Sequence, residues 1–391
     1  MDEIEQRKEN IKNYIKNNKQ LLVYAILAII IIFGFWVRTF NFNLLKDITT
    51  GQYISLELDS TLFLRYAQYI VQYGTLYTLD PMRFVPLGAD ISHLGVFTSY
   101  FVAYLYQFLH FFDPSITVEY VDLLYPPLTM AIMSLFFFLL IRRLFNWKVG
   151  LLAVTMIQFI PSFLFRSVSS DHDMLAMMFI IMTFYLYIVS WQSEKLKNKV
   201  IFGILTAIVT ILAQQTAGSS SFILIVIGGF TLIELLLNKF KEKDYYPYTA
   251  LIGIVTLLNF MYGGFEVIKS TIGSLMGVVP YFTFLVATTD LVIYKKSYFK
   301  LKSKFEKINL PEGVIGIIVA AIISLILAFI IFGPDFFLSK LSEIKKLLFH
   351  MYADNRWTLT VAENKKPYVI EWFGQFGRII TWSMMLGSIL L

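Results

Sequence analysis

One short polar stretch carries the residues of this sequence with the clearest capacity for chemistry. Asp171, His172 and Asp173 stand together within residues 165–174, between two long apolar runs. Ionisable side chains are costly at a membrane boundary, so their presence there indicates a function. Mg²⁺ and Mn²⁺ bind carboxylate oxygens, and Mn²⁺ also accepts imidazole. The stretch therefore predicts a divalent-metal site. In the alternative interpretation Asp171 caps the following helix, although a cap needs only one acid.

A second carboxylate, Asp59, follows the first apolar run and precedes the periodic segment 62–73. Aspartate at such a position is most often a helix N-cap. A carboxylate just beyond a membrane span can also reach the headgroup plane and join a site there. The local sequence leaves both interpretations open.

A third polar region, residues 354–367, contains Thr360-Val361-Ala362-Glu363. The spacing Thr-x-x-Glu matches a helix capping box. No apolar helical run follows it, however, and Pro367 comes four residues after Glu363. The pattern therefore favours a flexible loop that carries a carboxylate.

The elements that must position these residues are membrane helices. Of the 391 residues, 57% are hydrophobic, and apolar runs long enough to span a bilayer recur along most of the chain. The composition predicts an all-α polytopic membrane protein. The absence of cysteine excludes disulfides and thiolate metal sites. We interpret the net charge of +6 as loop bias that sets orientation, and not as nucleic-acid binding.

We predict about ten spans. They are 21–40, 123–141, 149–165, 174–191, 200–213, 221–238, 247–263, 271–294, 313–333 and 377–391. Residues 1–20 are charged and lack a small-residue cleavage site, so 21–40 is expected to be a retained span following a cytoplasmic segment.

Lysine and arginine concentrate in alternate loops, which the positive-inside rule places in the cytoplasm. The rich segments are 1–20, 142–148, 192–199, 239–246 and 295–307. The protein is thus expected in the cell membrane with its N-terminus cytoplasmic. The three carboxylate regions then share the external face.

Residues 94–112 are apolar enough to be a span, but a crossing there would turn every later basic loop outward. Tyr100, Tyr104 and His110 interleave with the phenylalanines of this segment. We therefore interpret it as an interfacial or re-entrant helix inside a first external loop, 41–122. Residues 334–376 form the second long external loop.

The three carboxylate motifs, in this order and on one face, resemble those of the oligosaccharyltransferase catalytic subunit in its archaeal form. In that family a first-loop Asp, a second-loop Asp-x-Asp/Glu/His and a fifth-loop Thr/Ser-x-x-Glu converge around a metal. Asp59, the segment 171–173 and the segment 360–363 look like these motifs. Residues 65–88 also look like the family's first loop, and His93 stands where archaeal members often carry a histidine.

The resemblance implies a GT-C type fold, with residues 21–391 as a transmembrane catalytic domain. It implies transfer of an oligosaccharide from a polyprenyl (dolichyl) phosphate or diphosphate to Asn in an Asn-x-Ser/Thr acceptor polypeptide. The partners that it implies are the lipid-linked oligosaccharide, the acceptor polypeptide and the lipid bilayer. Nucleic acid is not expected to bind.

The resemblance also implies roles for individual residues. The metal, Mn²⁺ or Mg²⁺, is expected on Asp59, Asp171 and Asp173, helped by His93. Asp59 and Glu363 are the expected catalytic residues. The expected substrate-binding residues are His172, Thr360, Glu363 and Arg378, although for Arg378 an interfacial anchor is the commoner role.

One departure from the family stands out. The family continues into a soluble domain that carries Trp-Trp-Asp-Tyr-Gly, whereas this chain has no Trp-Trp pair and stops at Leu391 within an apolar run. We expect that domain to be absent here, which makes the chain a fragment or a reduced paralogue and leaves its activity alone in question.

Three alternatives remain open at this stage. Another polyprenyl-phosphate-sugar glycosyltransferase would also use outward carboxylates but would not need 360–363. A truncated, non-catalytic partner of a glycosylation complex is the second. A transporter would show interrupted helices and charges near the bilayer midplane. The best such charge is Asp290, yet it lies beside Lys295 and Lys296 at a cytoplasmic end.

Overall fold

Our computed structural model describes residues 18–91, 94–305, 310–349 and 368–390, together with Glu5. The helices are α1 Lys19–Thr39, α2 Leu58–Tyr73, α3 Phe97–Phe112, α4 Val118–Leu144, α5 Trp147–Phe159, α6 Pro161–Arg166, α7 Asp173–Gln192, α8 Leu196–Thr216, α9 Phe222–Leu236, α10 Tyr245–Gly273, α11 Leu275–Asp290, α12 Leu301–Phe305, α13 Glu312–Phe332, α14 Asp335–Phe349, α15 Val369–Phe376 and α16 Arg378–Leu390. Two short strands, β1 Leu79–Asp80 and β2 Ala89–Asp90, pair antiparallel.

The all-α polytopic prediction is confirmed. Among the described residues, eight helices are long and apolar enough to cross a membrane, and they coincide with eight of the ten predicted spans. The other two predictions fall on shorter helices. Residues 377–391 correspond to the 13-residue helix α16.

The predicted span 149–165 is divided into α5 and α6 at Ile160, whose ψ of 127° is extended. The division follows from Pro161, because a proline disfavours helical backbone at the residue before it. Helix α5 has 13 residues, about 20 Å of helix against the roughly 30 Å of a bilayer core.

The chain forms two compact units, Met1–Tyr185 with Leu212–Gly218, and Leu186–Ile211 with Ser219–Leu391. In the first unit, α1 and α5 run parallel. At the N-terminal ends of the two helices, Lys19 lies over the ring of Trp147. At their C-terminal ends, Arg38 Nη2 donates to the carbonyl of Gln158 at 2.9 Å. Helix α5 therefore follows the direction of the first span.

The crossing of α1 and α5 depends on a glycine. A Cβ at Gly34 would lie 2.2 Å from Oε1 of Gln158. That oxygen accepts from Arg38 at 2.9 Å, and the amide nitrogen of Gln158 donates to Ser134 on α4 at 2.8 Å. A side chain at position 34 would displace this buried network.

The segment between α1 and α4 contains α2, the β1–β2 hairpin and α3. Ser99 on α3 donates to the carbonyl of Phe63 on α2 at 3.0 Å. The hairpin is anchored by the buried carboxylate of Asp80, which pairs with Arg65 and accepts from the hydroxyl of Tyr66 at 2.8 Å.

Helix α3 occupies the segment expected to be interfacial. Its 16 residues span about 24 Å, which is short for a crossing. One face is buried, including Val102 and Ala103, and Phe108 and Phe111 are exposed on the other. Its placement at the interface stays a prediction.

In the second unit, α9, α11 and α13 pack around Leu235, Val286 and Ala320. Asp290 has an ion-pair contact of 3.8 Å with Lys295, which fits the interpretation of boundary charge. Helix α10 is interrupted at Gly263 and Gly264, where the φ of Gly264 is +65°. The interruption lies about 27 Å along the helix, at the end of the predicted span 247–263. A transporter site would instead be expected near the middle of a span.

Candidate functional site

The structure brings the ligand atoms of Asp171, His172 and Asp173 within 4.8 Å of one another. Asp171 is buried, whereas His172 and Asp173 are half-buried. These two oxygens and one nitrogen form a donor set that suits a divalent cation. The cluster predicted from sequence is therefore compact enough to bind one ion.

The backbone before α7 holds the cluster. Oδ1 of Asp171 accepts from the N–H of His172 at 2.7 Å, and the hydroxyl of Tyr125 on α4 donates to the carbonyl of Asp171 at 2.8 Å. Helix α7 begins at Asp173, two residues after Asp171, and the N–H group that the Asp171 carboxylate accepts from belongs to His172, before the helix. The capping interpretation of Asp171 is wrong.

Asp59 lies in the first turn of α2 and is exposed. The N-cap of this helix is Glu57, so the capping interpretation of Asp59 is wrong too. Asp59 lies outside the compact cluster, but its charge acts on His172. One turn further, the ring of Phe63 packs edge-on against His172 at 5.5 Å, which joins α2 to the segment before α7.

Arg166 lies among three carboxylates. Its Nη1 is 3.3 Å from Glu57, 3.3 Å from Asp171 and 3.2 Å from Asp173. Glu57 and Arg166 are 109 residues apart in the chain. The three carboxylates carry more negative charge than the one guanidinium neutralises. The group therefore retains a net negative charge that suits a cation.

The charges perturb the pKa values of the site. Burial raises the pKa of Asp171, but contact with His172 and the charge of Arg166 outweigh it, so the pKa lies below its usual value. Burial lowers the pKa of His172, but the negative charges of Asp171, Asp173 and Asp59 raise it by more. The net result is a pKa above the usual value for histidine. Nδ1 of His172 is 2.6 Å from Asp171, an electrostatic contact without hydrogen-bond geometry. A metal ion binds the neutral imidazole, so its binding at His172 competes with protonation of the ring.

The same surroundings shift the pKa of Glu57 upward, in contrast to that of Asp171. Burial raises its pKa, and the charges of Asp171 and Asp173 add to that effect, while Arg166 opposes it. Its pKa lies above the usual value. Glu57 therefore takes up a proton more readily than a free glutamate does.

Some residues predicted from sequence lie elsewhere. His93, Thr360 and Glu363 lie outside the described residues. Arg378 is exposed at the start of α16, in the second compact unit. Its roles as phosphate ligand and as interfacial anchor both remain predictions.

Sequence reasoning missed Glu57, Arg166 and Phe63 as parts of the site. All three stood in or beside the polar stretches already singled out. The available signals were the charges of Glu57 and Arg166, and the spacing of all three residues, two to five positions from Asp59 or Asp171. Only the fold shows that these side chains converge.

Comparison with known proteins supports a single family. Residues 21–361 match the family model described as oligosaccharyl transferase STT3, N-terminal. Among curated proteins, the chain is similar to the dolichyl-diphosphooligosaccharide–protein glycosyltransferase subunit STT3B of Arabidopsis thaliana. The two are 22% identical over 78% of this chain and 42% of that protein.

Among solved structures, the fold is similar to the archaeal oligosaccharyltransferase AglB of Archaeoglobus fulgidus in complex with an inhibitory peptide and a dolichol-phosphate. The TM-score is 0.72 at 16% identity, covering 94% of this chain and 44% of that one. A structure of the same enzyme with zinc and sulfate has a TM-score of 0.62 at 17% identity, covering 83% and 43%.

A third structure, tethered to an acceptor peptide containing an NVT sequon, has a TM-score of 0.68 at 15% identity, covering 94% of this chain and 43% of that one. The chain thus spans less than half the length of the relatives it matches. At these identities the structural likeness establishes the fold.

Proposed function

The chain belongs to the oligosaccharyl transferase STT3 family, and from this premise we propose that it transfers an oligosaccharide from a polyprenyl phosphate or diphosphate to Asn in Asn-x-Ser/Thr. The observation that carries the proposal is the compact acidic cluster, Asp171, His172 and Asp173, directly before the span α7. The complexes of AglB with dolichol-phosphate and with an NVT peptide support the two substrate classes.

The cluster suits a divalent metal. Asp171, His172 and Asp173 would hold Mn²⁺ or Mg²⁺, with Asp59 and His93 as further ligands. Bound there, the ion supplies Lewis-acid stabilisation of the negative charge that grows on the lipid phosphate as it leaves. The mixture of carboxylate and imidazole ligands favours Mn²⁺ over Mg²⁺.

The protein's own groups act on both substrates. Arg166 and His172 lie at the cluster and offer N–H donors to the phosphate of the lipid-linked donor. The acceptor amide is a poor nucleophile because resonance delocalises its nitrogen lone pair. Asp59 and Glu363 accept hydrogen bonds from its two N–H groups and so weaken that delocalisation.

The proposal is tested with the protein purified from its native membranes and supplied with a lipid-linked oligosaccharide and an Asn-x-Thr peptide. Mass spectrometry should detect a glycopeptide that depends on Mn²⁺ or Mg²⁺, and none with a Gln-x-Thr peptide. Sugar transfer to lipid or to hydroxyl groups, with none to asparagine, would instead identify another polyprenyl-phosphate-sugar glycosyltransferase.

We expect Glu363→Gln to reduce turnover about 100-fold while donor binding stays within about threefold, since loss of a positioned hydrogen-bonding group costs on that order. Hydrogen exchange at 360–363 should slow when acceptor peptide binds. Glu343→Gln is the matched control, since that acid is exposed on α14. Normal turnover of Glu363→Gln would contradict this role.

We also propose that the N-terminus is cytoplasmic and the cluster external, from the lysine and arginine bias of alternate loops. Because the chain has no cysteine, single-cysteine labelling is clean. In intact cells, a membrane-impermeant maleimide should label Asp59→Cys and Glu363→Cys, and should label Lys243→Cys only after permeabilisation. Labelling of positions 59 and 363 from opposite sides would rule out a common site.

A further inference from the structure

Helix α4 buries a carboxyl group that the proposed reaction does not use. Asp122 is fully buried, and no cation of the described residues pairs with it. Its Oδ2 accepts from the hydroxyl of Ser55 at 2.9 Å. The buried Ser170 hydroxyl also interacts with this carboxyl, as a polar contact without hydrogen-bond geometry. Burial of an ionisable group without a counter-ion is costly, so this arrangement calls for a reason.

The two hydroxyls belong to the two segments that form the site. Ser55 lies two residues before Glu57 and four before Asp59, and Ser170 directly precedes Asp171. A single buried group therefore contacts both segments, next to their acids.

The turns of α4 on either side of Asp122 contact the same two parts of the chain. One turn after Asp122, the Tyr125 hydroxyl donates to the carbonyl of Asp171 at 2.8 Å. One turn before it, Glu119 accepts from Gln68 on α2 at 2.7 Å. Residues three apart share a helix face, so one stripe of α4 contacts both segments.

We infer that Asp122 is a positioning residue that holds residues 53–58 and 166–172 in place relative to each other, so that the acids beside them reach a common ion. It touches neither substrate nor metal. Its support is α4, a continuous 27-residue helix that moves less than a loop does. The inference rests on the proposed metal-dependent function for its affinity readout.

Two substitutions separate this role from a purely structural one. Asp122→Asn keeps an acceptor for Ser55 and a similar shape, whereas Asp122→Leu removes the polar contacts. We expect Asp122→Leu to weaken Mn²⁺ affinity 10- to 100-fold, the range for groups that orient metal ligands. Asp122→Asn should stay within about threefold. Titration calorimetry on the purified chain measures both.

Asp244→Asn is the matched control, because Asp244 is a buried acid paired with Lys199 at 2.9 Å in the other compact unit. It should lower the thermal unfolding temperature without changing Mn²⁺ affinity. A folded Asp122→Leu variant with wild-type affinity, or an equal loss of affinity in Asp244→Asn, would overturn the inference. If Asp122→Leu does not fold, the Ser55→Ala, Ser170→Ala double variant serves instead, with an expected loss of about tenfold.

A second readout does not depend on metal. Hydrogen exchange at 53–58 and 166–172 should be faster in Asp122→Leu than in the wild type, and unchanged in Asp244→Asn. If the wild type binds no Mn²⁺, the proposed function fails while the exchange data still test Asp122. Unchanged exchange in both segments would overturn its positioning role.

Discussion

Asp171→Ala should weaken Mn²⁺ affinity by more than about 100-fold and reduce oligosaccharide transfer below about 1% of wild type. Removal of groups that merely orient ligands costs about 10- to 100-fold, so loss of a direct ligand should exceed that range. Asp171 is also the most buried acid of the cluster and contacts both His172 and Arg166. The substitution therefore removes a metal ligand and also removes a charged partner of His172 and Arg166.

Calorimetric titration of Mn²⁺ and the glycopeptide assay measure the two effects. Asp335→Ala is the control, because Asp335 is an exposed acid at the start of α14. It should leave both quantities unchanged. Unaltered Mn²⁺ affinity in Asp171→Ala would exclude the cluster as the metal site, whatever happens to transfer.

Arg166→Gln should lower turnover about 100-fold, the usual cost of one charge-stabilising donor, without lowering Mn²⁺ affinity. The guanidinium lies 3.2–3.3 Å from Glu57, Asp171 and Asp173, so it competes with a metal for the same oxygens. Its removal should leave Mn²⁺ affinity equal or tighter. The KM for the lipid-linked donor should rise, because a phosphate ligand is lost.

A fall in turnover without a fall in Mn²⁺ affinity distinguishes the loss of a phosphate ligand from the loss of the metal site. Arg166→Lys retains the charge but not the planar fork, so it should recover part of the donor affinity. Lys340→Gln, which removes a cation paired with Glu343 on α14, should change neither quantity. A fall in Mn²⁺ affinity on loss of Arg166 would mean that the arginine assembles the cluster and does not compete for it.

Much of the membrane architecture was predictable from local sequence. A span needs about 20 apolar residues, and this requirement is visible without knowledge of any partner. The eight long helices therefore appeared in the predicted places. The division at Ile160 also had a local cause in Pro161, but the apolar run on both sides concealed it.

The acidic cluster was partly predictable for the same reason. Asp171, His172 and Asp173 are adjacent in sequence, so their proximity needs no long-range packing. Ionisable residues also stand out at a membrane boundary because burial there is costly. The sequence could not say whether Asp171 caps a helix, since that depends on where α7 begins and which N–H groups its carboxylate meets.

Sequence alone determined that the chain is a multi-span helical membrane protein with acidic motifs at span ends, because length and hydropathy act locally. Only the tertiary structure decided which side chains meet there. Glu57 and Arg166 are 109 residues apart, and Asp122 reaches both segments from a third helix. Such contacts depend on how α2 and α4 pack and on the direction in which each side chain leaves its backbone. No local pattern encodes that direction.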